Sequence, residues 1–136
     1  MGLRTADETP RGRKDNEGPT PQADCLCTRE GRLYIDELDT VELAARFGTP
    51  LFVLSETQLR RNVRRFRAAF AAEWEGPVDV MPAFKANTTL ASRRVLTDEG
   101  AGADVYSPGE LEGVLSTPVD RARVSVNGGG KSRDYL

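Results

Sequence analysis

The apolar positions of this chain are sparse at first, then periodic, then grouped in short runs. Residues 1–24 are rich in Pro, Gly and charge, with Leu3 the one large aliphatic residue after Met1. Such a stretch buries too little apolar surface to offset its ordering entropy, and a disordered tail is expected. CLCTREGRLYI then sets two apolar stretches around a polar, Gly-containing turn, which predicts a β-hairpin. Asp39-Thr40-Val41-Glu42 reads as a capping box opening a short helix that buries Leu43, Ala44 and Phe47. Gly48, with Pro50 two residues on, closes it. LFVLS is a short apolar run of strand type, ending at a second capping box, Ser55-Glu56-Thr57-Gln58. In the helix behind it Leu59, Val63, Phe66, Phe70 and Trp74 recur at steps of three or four, on one face.

After residue 77 the rhythm becomes strand, helix, strand, helix, strand. VDVMPAF, GADVYS and ARVSV are the expected strands; LASRRVLTDEG and PGELEGVLS are the helices. The last helix opens on a third capping box, Ser107-Pro108-Gly109-Glu110, with Pro at its first turn. Strands alternating with helices through short connections predict βα units and a parallel sheet. The organisation expected is therefore a tail (1–24), a hairpin, short helix and strand (25–54), and the opening units of an α/β domain (55–136).

Charge and composition narrow the functions. A net charge of −2 offers no basic field for nucleic acid. Arg60, Arg61, Arg64, Arg65 and Arg67 crowd one helix; a phosphate-binding face is conceivable, but a solvated face is the expectation. No apolar run approaches the roughly 20 residues of a membrane span, and the first residues lack the apolar centre of a signal peptide. A cytoplasmic protein is expected. Cys25 and Cys27 stand one residue apart in a chain without histidine, which suits strand side chains better than metal ligands, and no metal site is expected.

Strand-end loops are where βα folds place chemistry, because the strands hold them rigidly at one face. Three occur here: FKANTTL, YSPGEL and VNGGGKS. The last ends like a phosphate-binding loop, but that motif needs a glycine where Ser125 stands, so a Gly-rich connection is the expectation. Lys85 follows its strand directly, where a side chain would point into the mouth of a barrel. A lysine amine there, partly desolvated, can attack a carbonyl carbon to form a Schiff base. Taken by itself, a strand-end lysine is more often merely solvated.

FGTPLFVLSETQLRRN, AFKAN, GAGADVYSPGEL and GGGKS, in this order and with these gaps, resemble the diaminopimelate decarboxylases. These are part of the alanine-racemase-fold decarboxylases, which include ornithine and arginine decarboxylases. The resemblance runs from about residue 25 to the end. In the family, Lys-Ala-Asn after a strand marks the lysine that holds pyridoxal 5'-phosphate, which implies that role for Lys85. Asp-Val-x-Ser-x-Gly-Glu-Leu, about twenty residues on, marks the next barrel strand and its helix. The resemblance places Asp104 and Glu110 near that lysine and cofactor. Each has a plainer alternative: a satisfied strand-end carboxylate for Asp104, and helix capping for Glu110.

The implied fold is the first part of a (β/α)8 barrel, and the implied reaction is the decarboxylation of meso-diaminopimelate to L-lysine by a homodimer. In that reaction the substrate amine displaces Lys85, and the cofactor ring takes up the electrons left by departing carbon dioxide. Relatives acting on ornithine, arginine or a carboxylated polyamine are the alternative, and a non-enzymatic nucleotide-binding α/β module is the rival from another class. Two departures stand out. Pro82 occupies a place where the family has an aromatic residue, and proline is awkward within a central strand. A whole barrel takes about 250 residues, and the family's cofactor-stacking histidine, later phosphate loop, ring-nitrogen glutamate and cross-dimer cysteine have no counterpart in these 136. An inactive N-terminal portion of such an enzyme is the expectation.

Overall fold

The computed structural model describes residues 25–135, so the tail expected over 1–24 lies outside the described residues. The hairpin forms as expected: β1 (Leu26–Arg29) pairs antiparallel with β2 (Arg32–Ile35), Arg29 opposite Arg32. Glu30 and Gly31, between them, have φ of 51° and 78°, the left-handed pair that a two-residue turn needs to match the twist of its strands. A second tight turn leads to β3 (Leu38–Asp39), antiparallel to β2.

Asp39 ends this small sheet and starts the next element. Its Oδ1 accepts from the N–H of Val41 (2.7 Å) and Glu42 (3.4 Å), and its Oδ2 accepts from Arg32 Nη1 at 2.7 Å. Helix α1 (Thr40–Phe47) follows and stops at Gly48, whose φ of 83° only glycine adopts freely. Leu43 and Ala44 are half-buried, but Phe47 is exposed, contrary to expectation. An eight-residue helix against a three-stranded ribbon covers little more than its central turn.

The segment 51–54 also departs from expectation. It forms no strand, and its four apolar residues are exposed, Phe52 completely. A run of apolar residues becomes a strand only beside a partner ladder, and among the described residues none lies alongside it. Order returns at Ser55, whose buried hydroxyl donates to Asp36 (2.7 Å) and accepts from the Gln58 N–H (3.0 Å). It caps α2 (Glu56–Glu73). Val63 on the apolar face is 5% exposed, whereas Phe66 and Phe70 are exposed, and Trp74, just past the helix end, is 61% exposed.

The arginine face of α2 stays largely exposed, but three of its guanidiniums are also engaged. Arg64 grips Glu99 with both a 2.7 Å bond from Nε and a 2.6 Å bond from Nη2, and Arg60 Nη1 adds a third at 3.1 Å. Arg67 donates to the carbonyls of Glu99 and Gly100. Glu99 and Gly100 close α3 (Leu90–Asp98), so the cations sit where a helix end presents its unpaired carbonyls and partial negative charge. The guanidiniums, Arg64 foremost, hold the Glu99 carboxyl down to about 2 against the opposing effect of its burial.

The βα units assemble around β4 (Ala103–Val105), α4 (Pro108–Leu115) and β5 (Val124–Val126). β4 and β5 are parallel with Asp104 opposite Ser125, and Ala83 bridges Asp104 in the same sense on the other side. The stretch before Ala83 runs beside β4 but is irregular. Val80 and Pro82 accept from the N–H of Gly102 (2.9 Å) and Asp104 (3.2 Å). In a parallel ladder a residue turns its N–H and C=O to the same neighbour, so Pro82 lacks the donor that would return a bond to β4. The proline thus shortens the strand expected over 78–84 to a single bridge and a 3-10 turn at Phe84–Ala86.

Ala103, Val105, Val114 and Phe84 are buried together with Val119, and Leu111, Val124 and Val126 pack on them. Gly113 of α4 lets the Phe84 ring approach: a Cβ there would stand 3.2 Å from two ring carbons. Arg93 of α3 is 1% exposed, donating from Nη2 to the Ala101 carbonyl (3.1 Å) and from Nε to Thr97 (3.2 Å). Burial lowers its basicity.

Candidate active site

Side chains alternate across a strand, so the apolar face of β4 and β5 fixes what the other face carries. Ala103, Val105, Val124 and Val126 turn into the core; Asp104 and Ser125 turn the opposite way. The pairing of Ala83, Asp104 and Ser125 then puts Lys85, Tyr106 and Asn127 side by side at the carboxyl ends of three neighbouring strand segments. Those ends are where a parallel α/β sheet presents its chemistry.

Lys85 sits in the 3-10 turn, exposed rather than partly desolvated, with Nζ 3.4 Å from the centre of the Tyr106 ring. Asp104 is half-buried, and its Oδ1 accepts from Asn127 Nδ2, which also donates to Ser125 Oγ at 3.0 Å. That bond aims the carboxylate within the sheet face. Glu110 is used locally: its Oε2 accepts from the Tyr106 N–H at 3.0 Å, and its own N–H donates to Ser107 Oγ at 3.3 Å. The box is thus displaced by one residue, because its glutamate reaches past Ser107 to Tyr106.

Lys85 and Asp104 therefore share one face, while Glu110 acts on that face through the backbone. Tyr106 and Asn127 complete the cluster, and neither stood out in the sequence. The available signal was positional: each ends a strand, two residues beyond a residue facing the same side. The loop 127–131 turns on Gly128 (φ 90°) and Gly130 (φ 73°), with Ser125 inside β5 where a phosphate loop would need glycine. Among the described residues no group of three or more His, Cys, Asp or Glu is placed to hold a metal, and no helix is long and apolar enough to cross a membrane.

The donor set suits an aldehyde-bearing cofactor: a reachable amine and, on the same sheet face, a carboxylate anchored by Asn127. Residues 56–136 match the family model described as the pyridoxal-binding domain of pyridoxal-dependent decarboxylases. The chain belongs to that family. Among relatives, the diaminopimelate decarboxylase of Methanothermobacter thermautotrophicus is 42% identical over 107 residues, covering 79% of this chain and 25% of the relative. That of Methanocaldococcus jannaschii is 40% identical over 117 residues, covering 83% and 26%. A crystal structure of the M. jannaschii enzyme superposes with a TM-score of 0.79 at 39% identity, over 83% of this chain and 27% of that one. The fold of the chain is thus the opening βα units of the barrel expected from its sequence. The chain spans about a quarter of the length of the curated relatives it matches.

Proposed function

We propose that the complete protein decarboxylates an amino acid with pyridoxal phosphate, converting meso-diaminopimelate to L-lysine, and that Lys85 carries the cofactor. The observation that carries this reading is the exposed amine of Lys85 at a strand's carboxyl end, on the face opposite the core, within a segment matching the family's pyridoxal-binding domain. Both archaeal relatives bear the diaminopimelate decarboxylase name, which favours that substrate over ornithine, arginine or a carboxylated polyamine. When bound, pyridoxal phosphate supplies the electron sink for the pair left behind by the departing carboxylate. Asp104, held by Asn127, presents its carboxyl on the same sheet face as the amine. Glu110 supports the site from beneath by fixing the Tyr106 backbone. Residues 25–54 serve as a leading segment and 55–136 as the start of the barrel, in a homodimeric cytoplasmic enzyme.

The test uses the complete protein, or a chimera completed from the Methanothermobacter relative. Lys85→Ala is expected to lower carbon dioxide release from diaminopimelate by orders of magnitude, since the reaction needs this amine to bear the cofactor. Borohydride should fix the cofactor on Lys85 in the parent and on no residue in the variant. Wild-type turnover in Lys85→Ala would end the assignment, and faster release from ornithine or arginine would move the substrate.

A further inference from the structure

Among the described residues the partner of the Lys85 ammonium is an aromatic face, not a carboxylate. Nζ stands 3.4 Å from the Tyr106 centroid, well within the range of about 6 Å over which a ring quadrupole attracts a cation. The ring is held from several sides. The Tyr106 N–H is fixed by Glu110 at 3.0 Å, and the preceding carbonyl, of Val105, accepts from the Asn127 N–H at 2.8 Å. Gly128 abuts it: a Cβ there would stand 3.4 Å from the Tyr106 carbonyl oxygen and 3.5 Å from ring Cδ1. Tyr106 is 37% exposed, so its ring lines the surface that a ligand of Lys85 would enter and is not part of the core.

We propose that Tyr106 is a positioning residue that cradles the free Lys85 ammonium and so sets how readily that amine is captured by a carbonyl. It rests on Lys85 being the cofactor lysine. Capture requires the ammonium to give its proton to water; the neutral amine then adds to the aldehyde carbon, and one water leaves as the carbon–nitrogen double bond forms. The first of these steps discards the cation that the ring attracts. Interaction with the ring therefore belongs to the free state and opposes capture, and removing the ring should tighten it. The same cradle gives the lysine a defined place to return to whenever another amine displaces it.

The experiment compares the 136-residue chain with its Tyr106→Phe and Tyr106→Leu variants. Reductive methylation with carbon-13 labels its three lysines, Lys14, Lys85 and Lys131, and keeps each nitrogen cationic. The Lys85 methyl signal should lie upfield of the other two in the wild type and in Tyr106→Phe, and join them in Tyr106→Leu. On unmethylated protein at subsaturating pyridoxal phosphate, the borohydride-fixed fraction on Lys85 should rise about two- to fivefold in Tyr106→Leu and stay unchanged in Tyr106→Phe. That range is a surface cation–π contact of about 0.5–1 kcal/mol expressed as a ratio. An unshifted wild-type methyl signal, or a fixed fraction that is equal or lower in Tyr106→Leu, overturns the proposal. Fixation on lysines other than Lys85 in all three proteins would instead sink the cofactor reading and the capture effect with it, leaving the ring contact to be judged by the methyl signal alone.

Discussion

The unit built from β4, α4 and β5 closes a core with the Phe84 ring, while the stretch from residue 51 to Trp74 leaves most of its apolar side chains in water. In the first, Ala103, Val105 and Val114 are fully buried, and a strand face, a helix face and Phe84 meet across one gap. In the second, Val63 is the sole buried residue of an 18-residue helix, and Phe66 and Phe70 lean on each other with ring centroids 5.0 Å apart. The second region also has the apolar spacing of a buried face, so the difference lies in partners. A strand face and its crossover helix are neighbours in sequence and cover each other wherever the chain goes next. An apolar helix face without such a neighbour needs a wall from elsewhere. What holds α2 in place is mostly charge: three arginines on the end of α3.

The sharpest way to break the closed unit is Gly102→Ala. A Cβ there would stand 2.3 Å from the backbone oxygen of Arg123 and 3.0 Å from Met81 Cγ. Backbone cannot yield as a side-chain tip can, so β4 would be pushed off β5. A loss of about 3 kcal/mol or more is expected in urea unfolding. A loss below about 0.5 kcal/mol would show that β4 and β5 are not packed this closely.

The next effect belongs to the arginine clamp and carries a pH signature. Glu99 titrates at about 2 in the folded chain, against an ordinary value of 4.5. A folded value below the unfolded one means that the clamp's contribution is complete above about 4.5 and is lost as pH falls toward 2. Glu99→Gln, which keeps the shape and removes the charge, is expected to cost about 1–3 kcal/mol at neutral pH. The gap between variant and wild type should close across that acid window. A gap that does not change with pH would mean that α2 is held by something other than these ion pairs.

Much of this was legible in sequence because it is local. Capping at Asp39, Ser55 and Ser107, the left-handed turn at Gly31, and the strand–helix alternation after residue 77 each follow from a few adjacent residues. The failures are all about partners. LFVL has strand composition, but pairing is a property of the neighbour, and Phe47 has a core residue's spacing without a core opposite it. The arginine face of α2 is exposed as expected, but its hold on the end of α3 was not legible, because Glu99 lies 35 residues from Arg64. At the site, the motif pointed to Lys85, Asp104 and Glu110, while Tyr106 and Asn127 emerged only from the register that aligns three strand ends. Pro82 was read as awkward for a strand, and it is where the ladder loses a bond.

The smallest expected effect tests the open region from the opposite side. Phe52 is 100% exposed, so in this chain its ring has no apolar contact to lose. Burying a phenylalanine contributes about 1.5–3 kcal/mol, and truncating one left in water should change stability by less than about 0.5 kcal/mol. Phe52→Ser is therefore expected to leave the urea midpoint and its slope in place while reducing self-association, because Leu51, Phe52, Val53 and Leu54 together offer a contiguous apolar surface. Sedimentation of the 136-residue chain and of the variant over a range of concentrations measures that association directly. A drop of about 2 kcal/mol in Phe52→Ser, with no change in sedimentation, would mean that the ring is buried within the monomer and that the contrast between the two regions is false.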